Sequence, residues 1–312
     1  MKKSIFIIIF SIFLLLIGCE GPRGPQGLQG PQGEKGEAGE PFNWDNIIKE
    51  INIENSIYAI AIKIGNDNYL LGTGFTAYYS DIIWTNAHVA LALKYYMDQL
   101  RDLSPEALAI RSNSIIGRTF TYKLTEYDIH PQYDGTISSP DIAVLIADRN
   151  FSDFLEFLPS KFIKDLKVGQ SIATSGFPGE IESLNTNTPI ATFKDGIISA
   201  LRPYNPDTQL SNPINNHFIQ HNLDLSGGTS GSPIFDHYGF VIAINNSGTE
   251  KLVIDVNTGV PERIPSGNIG FGIRIDEALD WIEILDKKVF SNKLIYKKKL
   301  SEFEYNPFPL CP

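Results

Sequence analysis

From Ile47 onward the chain is written in short runs rich in isoleucine, valine, tyrosine and threonine, each closed by turn residues, and this punctuation constrains the fold more than any other feature. IYAIAIKI, YLLGTGFTAYY, IIWTNA, ALAIRS, TFTYKL, DIAVLIAD, SIATSGF, ATFKDGIISAL, FVIAINN and KLVIDV all read as strands. Branched and aromatic side chains suit a pleated, half-buried surface. Few stretches carry a helical pattern. One is Val89–Arg101. A second, IDEALDWIEILDKKVF after Arg274, has an acidic first turn and places Ala278, Trp281, Ile282 and Leu285 on one face. Many strands and few helices predict an all-β barrel or sandwich, with strands enough for two barrels of about six each. The core domain is expected over 45–288.

The N-terminal segment has a different character. Lys2 and Lys3 precede the apolar run Ser4–Ile17, shorter than the roughly 20 residues of a membrane span and shaped like the apolar region of an export signal. LIGC at 16–19 resembles a bacterial lipobox, which implies removal of residues 1–18 as a lipoprotein signal peptide and acylation of Cys19. An uncleaved anchor or an ordinary signal peptide is the other reading. Each buried methylene of an acyl chain contributes about 0.8 kcal/mol, so lipid on Cys19 would tether the chain to a bacterial membrane: the outer membrane, the cell surface or the periplasmic side. Gly21, Gly24, Gly27, Gly30, Gly33, Gly36 and Gly39 then fall on a strict period of three, the requirement of a collagen-like triple helix. Residues 19–44 therefore read as a stalk, either an extended solvated spacer or a short triple helix that makes a homotrimer.

Composition removes other classes. The net charge of -10 lacks the basic footprint that binding a nucleic-acid backbone requires. The two cysteines, Cys19 and Cys311, cannot form a disulfide framework. No metal or organic cofactor is implied, and the sequence has no calcium loop of the DxDxDG kind.

Three local motifs carry the chemistry: TNAHV at 85–89, downstream of GTGF at 72–75; SSPDIAVL at 138–145; and GGTSGSPIF at 227–235. A serine hydroxyl is a weak nucleophile at neutral pH. It needs an imidazole base, and a carboxylate that fixes the tautomer of that base and stabilises the imidazolium. His88, Asp141 and Ser230 supply these groups, separated by stretches that suit a triad assembled from loops of two packed halves. Glycines at 228 and 231 free the backbone to aim amides at a developing negative charge, so the N–H groups of Gly228 and Ser230 are the candidate oxyanion hole. His130, His217, His221 and His237 lack a comparable setting and are expected at the surface or in turns, with His221 kept as a subsite candidate for its closeness to Ser230.

Together these motifs resemble the chymotrypsin-fold (trypsin-like) serine endopeptidases, in particular the bacterial HtrA-like and glutamyl-endopeptidase-like branches, over about residues 55–285. TSGFPG at 174–179, DGIISAL at 195–201 and GFGI at 270–273 add to the likeness. The resemblance implies two six-stranded antiparallel β-barrels, the first over about 55–155 and the second over about 165–275, with a C-terminal helix at about 276–290. It implies base, carboxylate and nucleophile roles for His88, Asp141 and Ser230, and protein or peptide substrates cleaved through an acyl-enzyme. Asp224 stands where basic-specific members have an acidic pocket floor, or else it shapes the pocket edge. Asn245 takes the place of the histidine of glutamyl endopeptidases and matches the asparagine common in HtrA-like members. The basic and aromatic tail 291–312 is too short for a PDZ domain. The polar stretch 203–222 reads as an insertion bordering the substrate groove. A second class of function stays open, a stalked binding or adhesion protein on a catalytically silent fold of this type.

Overall fold

The computed structural model describes residues 43–113, 116–179, 185–204, 216–223, 227–254 and 261–285, the side chains of 247–268 and of 283 and 284 apart. Cys19, the Gly-X-Y tract, Asp224, the middle of the 203–222 stretch and the tail lie outside those residues.

The first barrel is built from β1 (Ile57–Ile64), β2 (Asp67–Thr76), β3 (Ile82–Thr85), β4 (Glu106–Asn113), β5 (Arg118–Ile129) and β6 (Ala143–Ala147). Their order is β1-β2-β3-β6-β5-β4, closed by antiparallel pairing of β4 with β1. The apolar runs of the sequence explain the packing. β1 is buried on both faces: Tyr58, Ile60 and Ile62 fill the barrel interior, whereas Ile57 and Ala59 join a second core shared with the other barrel. β3 divides in the same way, with Ile83 turned into the barrel and Ile82 and Trp84 turned out. A strand with two buried faces has no polar side, which is why IYAIAI and IIW read as unbroken apolar runs. β5 has one wet face, and it alternates around buried Tyr122 and Leu124.

The second barrel comprises β8 (Ser171–Gly176), β9 (Thr192–Arg202), β10 (Phe218–His221), β11 (Pro233–Asp236), β12 (Phe240–Ile254) and β13 (Pro261–Arg274). The order β11-β8-β9-β10-β13-β12 closes through β11 and β12, and the two-residue β7 (Glu156–Phe157) pairs in parallel with β12. The fold is thus mostly β, two closed six-stranded antiparallel barrels, as expected.

Helices complete the frame. α1 (Asp45–Glu50) and α2 (Ile53–Ser56) precede the first barrel and have no counterpart in the sequence reading. α3 (Ala87–Gln99) starts two residues before the expected Val89, because Asn86 is already extended (φ -83°, ψ 152°) and the helix begins directly after it. That shift matters, since it puts His88 in the first helical turn. α4 (Asp276–Leu285) buries Ala278, Trp281, Ile282 and Leu285 as its spacing predicts. Trp281 meets Trp84 edge-on at 6.0 Å, tying this helix to the strand that leads into α3. No helix among the described residues is long and apolar enough to cross a membrane.

Two expectations are corrected. Residues 218–221 belong to a barrel strand and not to a polar insertion, because FIQH pairs with β9 on one side and β13 on the other. The other four histidines, expected at the surface or in turns, are buried or half-buried, and of them His237 does lie in a turn. His130 and His221 are buried, and burial lowers the pKa of both, that of His221 to about 4. His237 is buried within its turn, and half-buried His217 pairs with Glu277 of α4.

Candidate active site

The site is assembled where the two barrels meet. β3 ends at Thr85 and delivers His88 into the first turn of α3, where backbone N–H groups have no intrahelical acceptor. Asp141 lies just before β6, which pairs with β3 in the register Thr85↔Ala143. It fills both needs of that turn. Oδ1 accepts the backbone N–H of His88 at 2.9 Å, and Oδ2 lies 2.6 Å from His88 Nδ1. A buried carboxylate requires such partners, and the positive end of a helix favours it further. Asn86 adds a bond from Nδ2 to the Asp141 carbonyl at 2.8 Å, so the segment carrying the carboxylate is fixed to the segment carrying the ring. With Nδ1 engaged, Nε2 is the nitrogen left to face a substrate-side partner, and the His88 side chain remains 43% exposed.

The turn that carries Ser230, the candidate nucleophile, is held by its carbonyls. Gly179 N–H donates to Gly227 C=O at 2.5 Å, while Asn245 Nδ2 and Ser232 N–H donate to Thr229 C=O, both at 3.1 Å. In a planar trans peptide the N–H points opposite to the C=O. Anchoring the carbonyls of 227 and 229 therefore turns the amides of Gly228 and Ser230 away from these anchors. Neither amide donates a hydrogen bond among the described residues. Gly228 achieves this at φ +89°, where a Cβ would lie 2.4 Å from the Phe177 carbonyl oxygen.

Thr73, in the GTGF segment, is a residue of the candidate site that the sequence does not single out. Its N–H donates to Ser230 C=O at 2.8 Å, its Oγ1 donates to Gly228 C=O at 2.8 Å, and Oγ1 accepts the Phe177 N–H at 3.0 Å. One residue of the first barrel thus fastens the nucleophile turn of the second. Thr73→Val keeps the shape and deletes the hydroxyl. It is expected to cost about 1–3 kcal/mol in a denaturant titration and to lower turnover about tenfold, by loosening Gly228. An unchanged turnover would show that the backbone bond alone is sufficient.

The structure brings His88 and Asp141 into direct contact and sets the Ser230 turn against β2. Ser230 Oγ donates to the Asn246 carbonyl at 3.1 Å, and no hydrogen bond joins it to His88 among the described residues. Catalytic hydrogen bonds commonly tighten only when substrate arrives, and rotation about one side-chain bond re-aims the hydroxyl. Asn245, expected as a pocket residue, is buried beneath the nucleophile turn, with its amide directed at Thr229. Asp224 is outside the described residues.

Two six-stranded barrels with a His–carboxylate pair and a serine turn at their junction define a fold of the trypsin type. The family model of the trypsin-like peptidase domain matches residues 72–244, more than half of the chain, and the chain belongs to that family. A curated relative, described as a probable periplasmic serine endoprotease DegP-like of Halomonas elongata, is 30% identical over 176 residues, which span 56% of this chain and 29% of that protein. Among solved structures, the HtrA-type protease AlgW with tripeptide superposes with a TM-score of 0.51 at 20% identity, covering 79% of this chain and 64% of that one. The serine endoprotease from Yersinia pestis gives a TM-score of 0.51 at 18% identity, with 79% and 68% covered. At these identities the structural likeness is one of fold.

Proposed function

We propose that this chain is a serine endopeptidase that hydrolyses peptide bonds of extracytoplasmic proteins. The observation that carries the reading is the double engagement of His88 by Asp141, at the backbone and at Nδ1, beside a serine turn whose carbonyls are anchored. Ser230 Oγ attacks the scissile carbonyl as His88 Nε2 takes its proton, while Asp141 holds the ring and offsets its charge. The amides of Gly228 and Ser230 stabilise the tetrahedral oxyanion, a donor of this kind being worth about 3 kcal/mol in the transition state. His88 protonates the departing amine and then activates the water that cleaves the acyl-enzyme.

The location rests on the export-signal pattern and on the lipobox-like LIGC, with acylated Cys19 as membrane anchor and the Gly-X-Y tract as stalk. The periplasmic description of the Halomonas elongata relative agrees with it. A fluorophosphonate should label the wild-type chain and leave Ser230→Ala unlabelled. Absence of labelling on a demonstrably folded wild type would refute the reading. A peptide library on the same material reads the role of Asp224: cleavage without preference for lysine or arginine removes it as a pocket floor.

A further inference from the structure

Asn245 grips the nucleophile turn at three points. Its N–H donates to Ser232 C=O at 2.8 Å, its C=O accepts from Gly231 N–H at 2.9 Å, and its Nδ2 donates to Thr229 C=O. The third contact depends on which way the amide faces. Reversed, Oδ1 would oppose the Thr229 oxygen, acceptor against acceptor, and the peptide that carries the Ser230 N–H would keep only the Ser232 N–H of its two anchors. In the observed orientation Oδ1 is buried and closes no hydrogen bond among the described residues. A hydrogen-bond donor facing Oδ1 would reinforce that orientation.

His221 is placed to do so. It lies on β10, fully buried, and the Asn245 side chain works against the lowering of its pKa by burial, although neither ring nitrogen closes a hydrogen bond among the described residues. The strand between them explains the access. In the order β10-β13-β12, His221 is opposite Gly270 and Asn245 is opposite Gly272, so β13 puts no side chain between the two. Burial holds the ring neutral, and a neutral imidazole has a single N–H to donate.

We infer that His221 is a positioning residue of the proposed endopeptidase: its imidazole N–H faces Asn245 Oδ1, sets Nδ2 on the Thr229 carbonyl, and so keeps the Ser230 amide aimed at the oxyanion. The inference rests on the serine-endopeptidase reading for its catalytic consequence, and on burial and the β10-β13-β12 register for the pairing of His221 with Asn245. It gives a buried polar pair a purpose in a barrel interior where apolar residues would pack without desolvation cost.

The test compares His221→Leu, which keeps bulk without a donor, with His221→Gln, which restores one. Leucine is expected to lower kcat and the fluorophosphonate labelling rate about 10- to 100-fold, with KM changed by less than about threefold, since misplacing an oxyanion donor affects the transition state and not substrate binding. Glutamine should recover activity to within about fivefold of wild type. Equal losses in the two variants, no loss in leucine, or a change in KM alone would overturn the inference. Imidazole nitrogen spectra of the full-length chain labelled in histidine supply a reading independent of activity and of variant folding. His221 should show one neutral tautomer with an exchange-protected N–H, and the protection should be lost in Asn245→Ala. A ring that samples both tautomers, or an N–H indifferent to Asn245, would overturn it too. Failure of the wild type to react with fluorophosphonate would instead strike the endopeptidase reading and leave the spectra to decide the contact.

Discussion

Ser230→Ala is expected to lower kcat about 10⁶-fold and Asp141→Asn about 10⁴-fold, and the double variant should be no slower than Ser230→Ala alone. The first figure follows from loss of the attacking oxygen, which leaves only the oxyanion amides and substrate binding to act on water. The second follows from the two contacts of Asp141. Oδ1 accepts the His88 backbone N–H, so an asparagine at this position must keep its oxygen there and turn its NH₂ toward Nδ1. A donor facing Nδ1 forces that nitrogen to accept, and the ring proton moves to Nε2. His88 then presents a proton to Ser230 instead of a lone pair and cannot act as base. Once Ser230 is gone the tautomer no longer limits the rate, hence the non-additivity. Steady-state turnover of a peptide identified by library cleavage provides the measurement. A loss under tenfold in Asp141→Asn would mean that the pair seen here is structural.

These roles are readable from the sequence because each proposed triad member sits in a contiguous motif, and in TNAHV the local sequence also fixes the geometry: extended Asn86 starts the helix that carries His88. Likewise the strands buried on both faces, β1 and β3, announce themselves as unbroken apolar runs. What cannot be read depends on register between distant strands. FIQH is too short and too mixed to look like a strand, and it becomes one only between β9 and β13. Thr73 acquires its role from a bond to Gly228 across 155 residues, which nothing in GTGF foretells. Asn245 is recognisable by resemblance as a residue near the substrate, yet its partner is a carbonyl of the nucleophile turn. His221 reads as a surface or turn residue, or at most a subsite candidate, because a histidine in a polar stretch carries no sign of the barrel interior.

Gly231→Ala should destabilise the protein by about 3–5 kcal/mol and reduce turnover of whatever remains folded at least about 100-fold. Two costs combine at this position. The backbone is left-handed at φ +86°, and an added Cβ would lie 2.2 Å from the Thr73 carbonyl oxygen and 2.3 Å from Thr85 Oγ1. Neither atom can withdraw freely. Thr85 Oγ1 donates to that same carbonyl at 2.7 Å, and β2 and β3 are paired immediately beyond, Phe75 with Trp84 and Thr76 with Ile83. The strain must be relieved by moving the turn itself, which pulls Ser230 away from the helix that carries His88. Gly65→Ala separates the two costs, since Gly65 is also left-handed at φ +60° but a methyl group added there would have no neighbour within 4 Å. It should lose only about 1 kcal/mol and no turnover. Denaturant midpoints of the two variants, with turnover measured on the folded fraction, decide the matter. If Gly231→Ala unfolds no more easily than Gly65→Ala, the close approach of the nucleophile turn to β2 and β3 is not what holds Ser230 in place.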